Sequence, residues 1–193
     1  RLVSDWSSDV CSSDLANAGN GSFNFEPGNT TTKQIQTNGQ NFTTVNFNDN
    51  GLGALTEYDL IDDWTILTIL TIKNNCQVNV PDAVTANFGR TNINTGGILN
   101  VKAGGTLAME AEETLTVNDG GKIKIIGENT KYARLTRQGA SGTYAVNITG
   151  TISARYYLIE SLGTNGINLQ TNAKTESPGT IIYGGGGDRK SVV

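Results

Sequence analysis

From residue 89 the chain alternates apolar and polar positions in units of eight: GRTNINTG, GILNVKAG, GTLAMEAE, ETLTVNDG and GKIKIIGE. The third and fifth positions are Thr91 and Ile93, Leu99 and Val101, Leu107 and Met109, Leu115 and Val117, Ile123 and Ile125. Between them stand Asn92, Asn100, Ala108, Thr116 and Lys124. Alternation of this kind marks short strands with one buried face. The Gly-Gly and Asn-Asp-Gly-Gly stretches between them predict turns, because glycine reaches positive φ without a Cβ clash. No segment shows a helical period, and the one cluster of helix formers, AMEAEE, falls by phase on a strand end and a turn.

One octad is a strand plus its corner and cannot close a core alone. Three of them, about 24 residues, suit one coil of a parallel β-helix, in which each strand pairs with its counterpart one circuit later. That register predicts three stacks: Ile69 on Ile93 on Val117, Leu99 on Ile123, and Val101 on Ile125. Stepping back from residue 89 also puts Leu67 and Ile69 of TILTILTI in the inward phase. The expected fold is all-β, a right-handed single-stranded parallel β-helix (a β-solenoid). The alternative is an antiparallel β-sandwich or meander in which each Gly-Gly serves as a hairpin turn. Residues 22–63 carry shorter runs around Phe23, Phe25, Ile35, Val45, Phe47, Leu60 and Ile61 and predict irregular or capping coils. Farther on, TYAVNITG, TISARYYLIESL, NGINLQTNA and GTIIYGGGG read as strand–turn units.

Both ends stand apart from this pattern. DWSSDVCSSDL within residues 1–15 resembles the conceptual translation of a sequencing-library adapter, and DRKSVV at 188–193 resembles that of the opposite adapter. Residues 16–187 are then the β-helix fragment, with Trp64 and Cys76 its only tryptophan and cysteine. On this reading the native termini, and any export signal, lie beyond the given sequence.

Composition removes whole classes of chemistry. The 193 residues include no histidine, which excludes histidine triads, histidine bases and imidazole metal sites. Two cysteines cannot build a disulfide framework or a four-cysteine zinc site. A formal charge of −4 argues against nucleic acid as a partner. No apolar run approaches the roughly 20 residues of a membrane-spanning helix. GGGG at 184–187 lacks the Lys-Ser/Thr of a phosphate loop and reads as a turn.

The surviving candidates are carboxylates and a basic group. Glu57, Asp59, Asp62 and Asp63 cluster in EYDLIDDW, and Glu110, Glu112 and Glu113 in MEAEE. Opposed carboxylates could supply acid–base chemistry or calcium oxygens. The spacing fits no EF-hand, and solvated strand edges and corners carry such residues equally well. Lys131, Arg134 and Arg137 lie near Tyr132 and Tyr144, followed by Arg155, Tyr156 and Tyr157. These could contact an anionic glycan, or simply snorkel over apolar stems. Cys76 has no histidine to activate it and reads as a small buried hydrophobe. Asn20, Asn29, Asn41 and Asn147 occupy N-x-Ser/Thr sequons. No catalytic, cofactor or metal residue is assigned.

TNGQNFTTVNFNDNG, LTILTIKNNCQVNVPD, INTGGILNVKAGGTLAM and LTVNDGGKIKIIG resemble repeat regions of large secreted, adhesin-like bacterial surface proteins. ITGTISARYYLIESLGTNGINL is similar to the β-helix repeats that such proteins share with some polysaccharide lyases. The resemblance covers most of residues 22–183. It implies an extracellular or cell-surface structural or adhesive segment without catalysis, whose partner would be an extracellular glycan or a host or cell surface. The alternative it implies is a polysaccharide lyase or glycoside hydrolase, or a glycan-binding module.

Overall fold

The structure is a computed structural model that describes residues 22–26, 32–49 and 53–176. The adapter-like ends, Trp6, Cys11, Asn20, Asn29 and residues 184–187 lie outside the described residues. Among the described residues all seventeen elements are strands, and every pairing between them is parallel. The architecture is a parallel β-solenoid of about six turns, as the octad predicts.

Each coil crosses three strand faces. One face is a ladder of β1 (Ser22–Phe25), β3 (Asn41–Asn48), β5 (Trp64–Lys73), β7 (Thr85–Ile93), β10 (Thr114–Val117), β13 (Tyr144–Ile148) and β16 (Leu162–Leu169). A second ladder holds β2 (Lys33–Ile35), β4 (Thr56–Leu60), β6 (Cys76–Val80), β8 (Ile98–Lys102), β11 (Lys122–Ile126), β14 (Thr151–Arg155) and β17 (Lys174–Glu176). The third face begins in the amino-terminal halves of β3, β5 and β7. It continues through β9 (Thr106–Met109), β12 (Ala133–Arg137) and β15 (Tyr157–Ile159). The described parts of residues 22–63 therefore join the same ladders as the regular repeats.

All ten inward octad residues are buried, Thr91 among them. Columns form down the second ladder: Val78, Leu99, Ile123 and Ile152 stand in register, as do Val80, Val101 and Ile125, with Leu99 on Ile123 and Val101 on Ile125 as the octad predicts. Each such burial is worth about 1.5–3 kcal/mol before conformational entropy is charged.

One expected stack is wrong. Ile72, not Ile69, pairs with Ile93 and so stands in the column through Val117; Ile69 lies beside Thr44 and Arg90. Leu67, expected to point inward, is 51% exposed. The cause is a register shift between Ile66 and Ile69, where β5 turns from the third face onto the first. Ile66, Leu70 and Ile72 take the inward places instead.

The Gly-Gly pairs divide their work. Gly96 and Gly120 hold φ of 75° and 72°, which closes the turn. Gly97 and Gly121 come next, and a Cβ on either would collide with the carbonyl oxygen of Ile72 or Ile93 in the coil below. The AMEAEE turn has the same hydrogen bond, Glu113 N–H to the Glu110 carbonyl, but places Glu112 at φ 65° where the others have glycine.

Candidate functional site

The densest polar cluster lies on the outer surface of the second ladder. Strand alternation points Glu57 and Asp59 of β4, Gln77 and Asn79 of β6, and Asn100 of β8 away from the core. Asn79 is nevertheless fully buried and Gln77 is 5% exposed, because neighbouring coils close over them. The Asn79 amide donates to Glu57 Oε2 at 3.0 Å and to Asp59 Oδ1 at 2.7 Å. Its carbonyl accepts from Gln77 Nε2 at 2.8 Å and Asn100 Nδ2 at 2.9 Å. Two lysines lean in from later coils, Lys102 onto Asp59 at 3.3 Å and Lys124 onto Gln77 Oε1 at 3.4 Å. One buried amide thus ties together four side chains from three coils.

The chain matches no family model, no curated protein and no solved structure.

The EYDLIDDW carboxylates do not converge. Glu57 and Asp59 enter the cluster around Asn79, whereas Asp62 and Asp63 sit at a corner. Asp62 accepts the backbone N–H groups of Thr37, at 2.8 and 2.9 Å, and of Asn38, at 2.6 Å. Asp63 accepts the N–H of Thr85 at 2.7 Å. These two side chains clamp the corners of the coils before and after their own. Among the described residues no three Asp, Glu or Cys side chains are grouped so as to hold a metal ion. In the MEAEE cluster Glu113 pairs with Arg90 at 3.4 Å, while Glu110 and Glu112 are exposed turn residues.

The basic group is also spread along the solenoid. Lys131 pairs with Asp82, Arg134 with Glu160, and Arg137 donates to Ser161 Oγ at 3.2 Å. Arg155 lies 4.7 Å over the Tyr156 ring. Tyr144 is a core residue whose hydroxyl donates to the Leu135 carbonyl at 3.3 Å, and burial pushes its phenol pKa up. Tyr157 packs against the core, and Tyr132 is 45% exposed. No tyrosine strip forms from these residues.

Cys76 is fully buried, as its lack of a partner histidine suggests. Burial pushes its thiol up to about 12, with the charge of buried Asp49 adding to the effect. Tyr58 is raised as well, chiefly by burial and then by Cys76 and Asp49. The thiol is protonated at neutral pH and is a poor nucleophile. Asn41 is exposed, and Asn147 accepts from Asn168 at 3.2 Å.

Gln77, Asn79 and Asn100 escaped the sequence reading because an outward amide in a strand looks like any solvated residue. Position misled as well: the 24-residue period puts Cys76 one coil before Asn100, and only the shorter 21-residue step between β6 and β8 sets Asn79 beside Asn100 in one outward row, where like polar residues bond to one another.

Proposed function

We propose that this segment is a structural or adhesive part of an exported bacterial surface protein, a stiff spacer that performs no catalysis of its own. The observation that supports it most is how the candidate side chains are used. Asp62 and Asp63 clamp corners, Glu57 and Asp59 share one amide, and Glu113 and Glu160 neutralise arginines of neighbouring coils. Each makes a coil-to-coil contact, the work a spacer needs and an acid–base pair cannot spare. No helix among the described residues is long and apolar enough to cross a membrane, which leaves strand-built spans aside.

Two measurements test the reading. Small-angle scattering should give an elongated particle that lengthens by about 4.8 Å for each added coil. Incubation with uronate polymers should release no unsaturated product; sustained turnover would overturn the proposal in favour of a polysaccharide lyase.

A further inference from the structure

The second ladder divides by charge along the solenoid axis. Its early strands β2 and β4 carry Lys33 against Glu57 and Asp59, while β8, β11, β14 and β17 carry Lys102, Lys122, Lys124, Arg155 and Lys174 against a single carboxylate, Glu176. Asp119 and Glu128 stand in the turns flanking β11, off the strand face. Lys122 is held by Glu176 and Lys102 by Asp59. The remaining three have no carboxylate partner among the described residues: Lys124 touches the neutral Gln77, Arg155 lies over Tyr156, and Lys174 is exposed.

Register fixes their layout. Lys124 pairs with Ser153, Arg155 lies opposite Ile126, and Lys174 follows Thr151 in the row that contains Lys122. With about 4.8 Å between strands and about 6.7 Å for two residues along one, the three cations stand roughly 8–14 Å apart. They form an open triangle on three successive coils.

We infer that this face docks an acidic polysaccharide with about one carboxylate per sugar. Charge complementarity selects an anionic partner, and the wide spacing selects a sparsely charged one. A polymer as dense as duplex DNA, with one charge per roughly 1.7 Å, brings many more phosphates to this face than three cations so widely spaced can neutralise. The inference rests on the reading of the segment as a surface-presented solenoid and names the face that would adhere.

The test is affinity electrophoresis of the whole chain at low salt in gels containing polygalacturonate. Fully methyl-esterified polygalacturonate, the same backbone without charge, and duplex DNA serve as parallel arms. Polygalacturonate should retard the chain, salt should abolish the effect, and the triple variant K124Q/R155Q/K174Q should weaken it by at least about tenfold. Thermal melting of the variant confirms that it folds. Absence of retardation, equal retardation by the ester or by DNA, or an unaffected variant would overturn the docking face. None of these outcomes alters the scattering profile or the turnover assay, so the spacer reading stands or falls separately.

Discussion

The early and middle coils solve one packing problem with different side chains. Between residues 23 and 88 a cluster of aromatic rings sits among the buried aliphatic side chains. Phe25 stacks on Phe47 at 4.7 Å, Phe23 meets Phe42 edge-on at 5.1 Å, and Trp64 touches Phe25, Phe42, Phe47 and Phe88. From Ile93 to Ile152 the inward residues are mostly leucine, isoleucine and valine in straight columns. Register shifts fall on the first ladder, at Phe42/Thr44 and Ile66/Ile69 and again at Tyr144/Val146, whereas the second ladder pairs without one in the aromatic and aliphatic coils alike. The shifts follow the ladder whose strands bend between faces, not the kind of side chain packed beneath it.

Substitutions can break this contrast, and the largest effect belongs to the aromatic end. Trp64→Ala should cost about 3–5 kcal/mol in urea unfolding, since it empties the centre of the ring cluster. Trp64→Phe should cost much less, because the indole N–H has no acceptor among the described residues and its removal relieves a buried donor. Equal losses from both would show that ring shape matters more than volume there. In the regular coils the strictest position is a glycine, and Gly121→Ala should cost about 1–3 kcal/mol by forcing a Cβ against the Ile93 carbonyl. Glu112→Gly should do the opposite, raising stability by up to about 1 kcal/mol through relief of a left-handed non-glycine residue. A lower melting temperature would place the value of Glu112 in its side chain.

The smallest effect appears only in alkali. The Cys76 pKa is raised in the folded state, so its contribution is complete below the unfolded value near 9 and is lost as pH climbs toward 12. Stability should decline across that window, and Cys76→Ala should lessen the slope while leaving its shape near neutrality unchanged. An identical slope would assign the alkaline loss to Tyr58 and Tyr144, whose phenols are also raised.

The octad was legible because the Gly-Gly turns keep a constant length, so the inward phase survives from Thr91 to Ile125. TILTILTI misled because it is apolar on both faces. Either Leu67 and Ile69 or Ile66, Leu70 and Ile72 satisfies alternation, and only the bend in β5 decides between them. The carboxylate cluster shows a different limit. Asp62 bonds Thr37, 25 residues earlier, and Asn79 bonds Asp59, 20 residues earlier. Proximity in sequence grouped Glu57, Asp59, Asp62 and Asp63, while their real partners sit one circuit away. Knowing the coil length at each step would have exposed those contacts, and coil length varies most where the corners are irregular, as between Leu115 and Val146.

The ladders that join successive coils have a mechanical consequence. Their hydrogen bonds run along the long axis, so a pull on the two ends meets them one circuit after another instead of all at once. Under tension the chain should yield stepwise, and a regular circuit of 24 residues should release roughly 80 Å of slack before the next one takes the load. A tether built this way gives ground in instalments and keeps its remaining length intact.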